Sequence, residues 1–350
     1  MPERRIDLRS DTFTLPGAAM RRAMAEAEVG DDVWGEDPTV RRLEEHVADR
    51  LNKQAAVYVP SGTMGNLIGV LVHTRPGDEV ILDRDSHIAY YEVAGTAVVG
   101  GVQLRTLDWP RGAPSAVEVE AAIRSDDVHQ PPSRLLCLEN THNRRGGLAV
   151  TEAATSGAAQ VAHEHGLQVH CDGARLFNAA VALQTTPAAL VAQCDTVSVC
   201  LSKGLGAPVG SVLVGDGERI GEARRWRKRL GGGMRQAGVI AAGALWALEH
   251  NVERLAEDHA NARRLAELVG CLPGIEVVSV PVPTNIVMLR TRDSATALAR
   301  EAATAGVLLT AMGPHLLRAT THLGIDADAV EEVGSLLTAM LSGSPKSVPA

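Results

Sequence analysis

Short apolar runs alternate with longer segments of helical periodicity over the first two thirds of the chain. The apolar runs predict strands at residues 55–59, 79–82, 101–107, 134–138, 168–171, 196–201 and 210–214. Helical patterns cover residues 38–51, 151–165 and 188–192, and Asp37 followed by Pro38 is typical of a helix start. Most strand runs lack the alternation of a half-exposed strand, which favours an α/β fold with a mostly parallel sheet covered on both faces.

The pattern changes from about residue 236 onward. A long helical stretch covers residues 237–268, and we expect it to break near His250. Shorter strands follow at 275–280, 286–290, 307–310 and 316–320, with helices at 294–305 and 326–341. We therefore predict a large domain at residues 16–250, a small α+β domain at residues 1–15 and 251–341, and a disordered tail at residues 342–350.

Composition narrows the class of protein. The 350 residues are 45% hydrophobic and carry a formal net charge of -8 with both signs interspersed, so nothing favours nucleic-acid binding. The five cysteines form no CxxC pair and lie mostly in apolar runs, which is typical of reduced thiols in a cytoplasmic protein. The first residues lack the apolar segment of a signal peptide, and no apolar run approaches the roughly 18 residues of a membrane span. We expect a cytoplasmic protein without membrane or nucleic-acid partners.

Polar residues follow several predicted strands directly, and in an open parallel sheet ligands bind beyond these carboxyl ends. The residues concerned are Ser61, Gly62, Thr63, Glu139, His142, Asp172 and Lys203. Taken singly, most have a structural explanation. Small residues such as those at 61–63 are more often a helix cap than a phosphate site. An aspartate at a strand end, such as Asp172, is more often a cap or part of an ion pair than a catalytic residue. A single histidine such as His142 is usually structural.

Lys203 is harder to explain by structure alone. Lysine is rarely buried without a partner, and desolvation easily shifts its amine toward the neutral, nucleophilic form. The same edge offers a helix start for a phosphate and Asp172 for a protonated ring nitrogen. Pyridoxal 5′-phosphate requires this combination of lysine, anion site and aspartate. The residues jointly favour a pyridoxal-phosphate enzyme, and the absence of a GxGxxG motif argues against a nucleotide-binding oxidoreductase.

Eight sequence blocks carry a resemblance to a known family. They are IDLRSDT (6–12), VGDDVWGEDPT (29–39), PSGTMGN (60–66), LENTHNRRGG (138–147), HCDGARLFNA (170–179), CLSKGLGAPVGS (200–211), WRKRLGGGMRQAG (226–238) and LLRATTH (316–322). In this order they resemble the low-specificity L-threonine aldolases of the β-eliminating lyase group. The resemblance implies the aspartate-aminotransferase-like fold (fold type I), a pyridoxal 5′-phosphate cofactor, and cleavage of L-threonine, L-allo-threonine and other β-hydroxy-α-amino acids to glycine and an aldehyde.

The resemblance also implies roles for the residues at the sheet edge. Lys203 would bind the cofactor covalently, Asp172 would pair with its ring nitrogen, and Gly62 and Thr63 would hold its phosphate. His87 would stack on the cofactor ring and lie near the substrate hydroxyl. Lys203 and a histidine base are thus the expected catalytic groups.

Further residues are assigned by the same blocks. Ser10, Arg175 and Arg318 would bind the substrate carboxylate, where the arginine fork gives orientation, and Arg175 would also lie near the cofactor. Lys228 and Arg235 fall in a block that family members use near the phosphate across a subunit boundary. This implies a homo-oligomer of at least two subunits, and the resemblance suggests a tetramer. The whole basic run 224–229 is otherwise expected to be a solvated helix face.

Two histidines compete for a second active-site role. The resemblance best matches His129, whereas the strand-end argument favours His142, and we predict His129. We recognise no metal-ligand cluster in the sequence. The alternatives that stay open are another fold-type I enzyme, either a β-eliminating lyase or an aminotransferase, and a non-catalytic binding protein of the same fold.

Overall fold

The structure, a computed structural model, describes residues 5–342. The first four residues of the predicted small domain, and all of the predicted tail except residue 342, lie outside the described residues. The strands, in chain order, are β1 (Ile6–Asp7), β2 (Ala55–Val59), β3 (Glu79–Asp83), β4 (Gln103–Leu107), β5 (Ser133–Glu139), β6 (Gln168–Asp172), β7 (Thr196–Cys200), β8 (Ser211–Gly215), β9 (Ile275–Val277), β10 (Ile286–Thr291), β11 (Val307–Leu308), β12 (Thr310–Gly313) and β13 (Leu316–Thr320).

The α-helices cover most of the remaining chain. In order they are α1 (Ala18–Ala25), α2 (Pro38–Arg50), α3 (Gly62–Leu71), α4 (His87–Tyr90), α5 (Gly95–Gly100), α6 (Ala116–Ala122), α7 (Glu152–Glu164), α8 (Leu176–Leu183), α9 (Pro187–Leu190), α10 (Gly217–Arg229), α11 (Gly238–His250), α12 (Leu255–Gly270), α13 (Ala295–Thr304) and α14 (Ala327–Ser342). Within residues 5–342, no helix is both long and apolar enough to cross a membrane.

One compact unit comprises residues 15–253. Its sheet has the strand order β2-β8-β7-β6-β5-β3-β4. Strands β3 to β7 run parallel to their neighbours, whereas β8 runs antiparallel to both β7 and β2. The predicted α/β class with a mostly parallel sheet is confirmed. The carboxyl ends of β2, β3, β5, β6 and β7 therefore all lie at one edge, which we call the carboxyl edge.

The local sequence explains the main elements of this unit. Strands β3, β7 and β8 are buried along their whole length, as their continuous apolar runs predict. Helix α2 begins where Asp37 and Pro38 predict it, because the Asp37 carboxylate accepts hydrogen bonds from the backbone N–H groups of Thr39 and Val40 at 3.1 and 3.0 Å.

Several predicted strands differ in their bounds from the observed ones, and two of the differences have a clear cause. The apolar run at 101–107 forms a strand only from Gln103, because Gly101 has a φ of +65° and ends α5, a helix that the pattern did not predict. The run at 307–310 is divided between two strands. β11 pairs in parallel with β1, whereas β12 pairs antiparallel with β13, so the chain changes partner at this point.

The second compact unit comprises the described residues up to 14 and from 254 onward. Its larger sheet has the order β12-β13-β10-β9 and is antiparallel throughout. One buried core joins Leu265, Leu298 and Val330 of the three helices to Val287 and Leu317 of the sheet. This unit has the predicted α+β character.

Candidate active site

Strand register brings the polar strand-end residues together at the carboxyl edge. Glu139 pairs with Asp172 across β5 and β6, and Asp172 pairs with Ser198 across β6 and β7. Lys203 follows β7 within a tight turn, in which its carbonyl accepts a hydrogen bond from the Gly206 N–H at 2.8 Å. The carboxylates and the lysine therefore arise from three adjacent strands.

Helix α3 begins at the same edge, directly after β2. Ser61 caps the helix by accepting a hydrogen bond from the Met64 N–H at 3.2 Å. A Cβ atom at Gly62 would lie 2.4 Å from Cys200 Sγ, and one at Gly65 would lie 2.4 Å from Ser198 Oγ. The two glycines thus let the helix start lie directly against β7. The N–H groups at 62 and 63 precede the first intrahelical bond, so this end can accept an anion.

Asp172 is a buried carboxylate held by neutral donors. Its side chain is 2% exposed. Oδ1 accepts a hydrogen bond from the Ala174 N–H at 3.0 Å, and Oδ2 accepts one from Asn66 Nδ2 at 2.8 Å. These two donors fix the orientation of the carboxylate. Because both are neutral, they do not cancel its negative charge.

His87 begins α4 and is tied to two carboxylates. Its backbone N–H donates to Glu139 Oε2 at 2.6 Å, and its ring Nδ1 lies 2.8 Å from Glu92 Oε1. Burial lowers the pKa of His87, but the hydrogen bond with Glu92 and the charges of Asp172 and Glu92 raise it more. The net pKa therefore lies above the ordinary value for histidine.

Glu92 is a site residue that the sequence did not predict. It is 5% exposed, and Oε1 also accepts a hydrogen bond from Asn66 Nδ2 at 2.8 Å. Burial raises the pKa of Glu92, as does the Asp172 charge, while the His87 hydrogen bond opposes the change. Its position five residues after His87 matches no helical spacing, so the sequence offered no signal for the pair.

His87, Glu92 and Asp172 form a compact group of potential ligands. One ligand atom from each lies within 4.8 Å of the other two. No cluster of this kind was recognised in the sequence, because the three residues come from two distant segments. Asn66 donates to both carboxylates of the group.

Lys203 and Arg175 lie in different surroundings. Lys203 is half-buried, not fully enclosed as its apolar flanks suggested. Its positive charge is close enough to His87 to lower the pKa of the imidazole in part. Arg175 is 6% exposed at the start of α8, and its Nη1 donates to Asn143 Oδ1 at 3.4 Å.

The two competing histidines lie at opposite ends of β5. His129 lies before the strand on a loop, with its side chain 86% exposed and its ring hydrogen-bonded to Asp127 at 2.7 Å. His142 follows the strand, is fully buried, and has its Nε2 3.8 Å from Asp83 Oδ1. Since β5 has seven residues and is roughly 20 Å long, His129 is not at the carboxyl edge of its own chain.

The basic run on α10 is only partly a solvated face, which corrects the expectation from sequence. Arg227 is 4% exposed and forms an ion pair of 2.9 Å with buried Asp32. Arg224 pairs with Glu44. The reason is that α10 packs against β2, so one side of the basic helix faces inward.

Lys228 and Arg235 are exposed members of the same region. Arg235 forms an ion pair of 3.0 Å with Asp31. Lys228 lines a surface cleft of about 580 Å³ whose other walls include Asp32, Trp34, Arg41, Glu44, Arg224, Arg225 and Arg227. This is a basic surface, and its predicted role near a phosphate stays a prediction.

Ser10 and Arg318 belong to the second compact unit. Ser10 caps a short 3₁₀ helix by accepting a hydrogen bond from the Thr12 N–H at 3.3 Å. Arg318 lies on β13 and donates to the Arg9 carbonyl at 3.0 Å. Their predicted part in carboxylate binding stays a prediction.

The residues at the carboxyl edge fit pyridoxal 5′-phosphate. The backbone N–H groups at 62 and 63, which precede the first intrahelical bond, suit a phosphate. The buried Asp172 carboxylate suits a protonated ring nitrogen, and the half-buried Lys203 suits a covalent bond to an aldehyde.

Comparison with known proteins identifies the family of the chain. The beta-eliminating lyase family matches residues 7–293. The chain is 47% identical over 338 residues to a probable low-specificity L-threonine aldolase 2 of Arabidopsis thaliana, covering 94% of this chain and 95% of that protein. It is 41% identical over 339 residues to the low specificity L-threonine aldolase of Escherichia coli, covering 96% and 99%.

A solved structure gives the same result for the fold. The threonine aldolase of Leishmania major matches with a TM-score of 0.82 over 96% of this chain and 99% of that one, at 19% identity. At this identity the likeness shows the fold, and the predicted fold class is confirmed. Together with the family match and the relatives above 40% identity, it establishes that the chain belongs to the beta-eliminating lyase family.

Proposed function

We propose that this protein is a pyridoxal-phosphate-dependent aldolase that cleaves L-threonine, L-allo-threonine and related β-hydroxy-α-amino acids to glycine and an aldehyde. The observation that carries the proposal is the register of three adjacent parallel strands, which brings Glu139, Asp172 and the turn of Lys203 to one edge. The relatives named L-threonine aldolase support the choice of reaction within the family.

The cofactor would be held by the residues whose geometry fits it. When bound, pyridoxal phosphate supplies an electron-withdrawing ring that takes up the electron pair of the Cα–Cβ bond as it breaks. Lys203 would hold the cofactor through its aldehyde. Asp172 would keep the ring nitrogen protonated, since its carboxylate is buried and oriented. Gly62 and Thr63 would hold the phosphate through their backbone N–H groups.

His87 is the proposed base for the substrate hydroxyl. Its Nδ1 is engaged by the Glu92 carboxylate at 2.8 Å, so the proton of the neutral ring lies on Nδ1 and the lone pair lies on Nε2. Nε2 can then take the hydroxyl proton, and base assistance of this kind contributes roughly 10²–10⁴-fold to a rate. His129, acting directly or through water, stays the second candidate on the strength of the sequence resemblance.

Substrate binding and assembly are further parts of the proposal. Ser10, Arg175 and Arg318 bind the amino-acid carboxylate, as the sequence blocks suggest. The chain forms a homo-oligomer, a tetramer by resemblance, in which Lys228 and Arg235 serve a neighbouring subunit's phosphate site.

The cytoplasm is the proposed location. All five cysteines are free, and four of them are buried. Free thiols of this kind are typical of proteins in a reducing compartment.

Product analysis with a lysine variant tests the proposed reaction. The purified protein, loaded with cofactor, should release acetaldehyde and glycine from L-threonine and L-allo-threonine. Lys203→Ala should lose turnover and the visible absorption of the covalently bound cofactor, because the amine that binds the aldehyde is gone. Lys53→Ala is the matched control, since among residues 5–342 Lys53 donates to backbone carbonyls such as that of Cys194 at 2.7 Å. It should retain both properties.

The same assay separates the alternatives. Ammonia and a keto acid would indicate a β-eliminating lyase, and a new amino acid formed from an added keto acid would indicate an aminotransferase. Turnover at the wild-type rate in Lys203→Ala would contradict the assignment of the lysine. The absence of any cofactor binding would contradict the enzyme proposal as a whole.

A further inference from the structure

A continuous chain of hydrogen bonds runs through the interior of the unit to the carboxylates of the site. Arg219 Nε donates to His73 Nδ1 at 3.2 Å, and His73 Nε2 lies 2.8 Å from Thr196 Oγ1. Thr196 Oγ1 lies 2.9 Å from His170 Nδ1, and His170 Nε2 lies 3.3 Å from Asn66 Oδ1. Asn66 Nδ2 then donates to the carboxylates described above. We call these five residues, Arg219, His73, Thr196, His170 and Asn66, the interior chain.

The outer end of the interior chain fixes the direction of its first two bonds. A guanidinium can only donate, so His73 Nδ1 must accept and the proton of the neutral ring lies on Nε2. That proton goes to Thr196 Oγ1, which leaves the threonine's own hydrogen able to go to His170 Nδ1. In that arrangement a neutral His170 carries its proton on Nε2 and donates it to Asn66 Oδ1.

The inner end imposes the same direction independently. The Glu92 and Asp172 carboxylates only accept hydrogen bonds when ionised, so both need the NH₂ side of the Asn66 amide. This orientation turns Asn66 Oδ1 toward His170. Because Oδ1 is an acceptor, His170 Nε2 must carry the proton and donate it. The two ends therefore agree on a single arrangement of protons, which is the condition for a fully satisfied buried network.

The surroundings keep the two imidazoles neutral. His170 and Thr196 are fully buried, and Asn66 is 2% exposed. Burial lowers the pKa of His170 to about 4, although the Asp172 charge acts in the opposite direction. Burial also lowers the pKa of His73 well below its ordinary value, and a positive charge on His170 or Arg219 acts in the same direction. Each ring therefore has one proton to donate and one nitrogen that accepts.

A glycine in α3 makes room for the central ring. A Cβ atom at Gly69 would lie 2.3 Å from His170 Cε1 and 2.6 Å from its Nδ1. Because Asn66 lies three residues earlier on the same helix, the close approach at Gly69 brings Asn66 within reach of His170. Polar contacts from Asn66 therefore join α3 to His170 and Asp172 of β6.

We propose that His73, Thr196 and His170 are positioning residues whose one-directional hydrogen bonds lock the Asn66 amide, so that its two N–H groups hold Asp172 and Glu92 in place. The consequence for the cofactor rests on the proposed function, in which Asp172 pairs with the ring nitrogen. Loss of one link would allow the amide to turn, and the carboxylate that faces the cofactor would lose its fixed donor.

The proton positions can be observed directly. Neutron diffraction from crystals of the cofactor-loaded protein should show deuterium on Nε2 and none on Nδ1 in both His73 and His170, with the Asn66 ND₂ group facing Glu92 and Asp172. A proton on Nδ1 of either ring, a doubly protonated ring, or an inverted amide would overturn the proposal. This result does not depend on the reaction that the protein catalyses.

A set of threonine variants tests what the interior chain does for the site. Thr196→Val removes the central hydroxyl with little change in shape, and Thr196→Ser retains it. Thr96→Val is the control, because Thr96 is 1% exposed and its hydroxyl has no hydrogen-bond partner among the described residues. The measurements are the dissociation constant of pyridoxal phosphate and the pH titration of its visible absorption.

Thr196→Val should weaken cofactor binding by about fivefold, the order expected for one lost buried hydrogen bond, and should displace the spectroscopic titration. Thr196→Ser and Thr96→Val should match the wild type in both. If Thr196→Val binds like the wild type, the inference fails while the proposed function stands. If the wild type itself binds no pyridoxal phosphate, the proposed function fails, and the neutron result still decides the interior chain. Should Thr196→Val not fold, the neutron result decides here as well.

Discussion

Glu79 and Asp172 are buried carboxylates of the same sheet, but they lie at opposite ends of parallel strands. Glu79 is the first residue of β3, at the amino ends of the parallel strands, and is fully buried. Arg124 donates to it through Nε and Nη2, both at 3.1 Å, and Gln103 and Ser133 donate to it at 3.1 and 3.3 Å. Its charge is neutralised by a guanidinium, and both of its oxygens are engaged.

Asp172 is held in a different way at the carboxyl edge. Its donors are the amide of Asn66 and the backbone N–H of Ala174, both neutral. Neutral donors fix the orientation of a carboxylate without cancelling its charge, so the charge remains available to a cationic group of a ligand. The comparison teaches that two buried carboxylates of one sheet can differ in the charge of their donors. The proposed function assigns the cofactor to the carboxylate with neutral donors.

Removal of the Asp172 charge should have the largest effect on catalysis. Asp172→Asn keeps the shape but cannot stabilise a protonated ring nitrogen, so we expect kcat for threonine cleavage to fall by on the order of 10²–10³-fold. Asparagine also turns its NH₂ group toward one of the two N–H donors, so the free energy of unfolding should fall by about 1–3 kcal/mol while kcat falls far more. Steady-state kinetics and urea titration measure the two quantities. Full activity in Asp172→Asn would remove the distinction between the two carboxylates.

Glu79→Gln should lower stability but leave catalysis nearly unchanged. The charge-assisted bonds from Arg124 become weaker, and we expect a loss of about 1.5–3 kcal/mol in the free energy of unfolding. Glu79 lies at the amino ends of the parallel strands, away from the carboxyl edge. We therefore expect kcat to stay within about twofold of the wild type when it is measured below the unfolding transition, where the protein is folded. Urea titration and kinetics on the same preparation give both values. A large loss of kcat without a loss of stability would contradict the comparison.

Much of the fold could be predicted because the strands are continuous apolar runs. The predicted strands at 55–59 and 316–320 agree with β2 and β13 to the residue, and the predicted helix break near His250 agrees with the end of α11. The short helices α4 and α5 were not predicted, since four to six residues do not complete a periodic pattern. Buried Arg227 was wrongly expected on a solvated face, because its partner Asp32 is distant in the sequence.

The site was predictable only as far as strand ends reveal it. Asp172 and Lys203 follow apolar runs directly, so the sequence shows where they lie. Glu92, Asn66 and His170 gave no such signal. Their contacts depend on the packing of α3 against the sheet and on the position of the short helix after β3, which are tertiary features. A histidine inside an apolar strand reads as a core residue until its neighbours are known.

Glu92→Gln should have the smallest effect and sharpens the comparison within the carboxyl edge. The hydrogen bond and charge of Glu92 contribute to the raised pKa of His87, so their loss should lower that pKa. As a base, His87 acts in its neutral form, and activity rises as pH rises through the pKa. The acid limb of the pH–rate profile should therefore move to lower pH in Glu92→Gln. At high pH, kcat should fall by only about fivefold, since glutamine still accepts the Nδ1 hydrogen bond as a neutral group. An acid limb that stays in place would show that the group titrating there is not His87, and would favour His129 as the base.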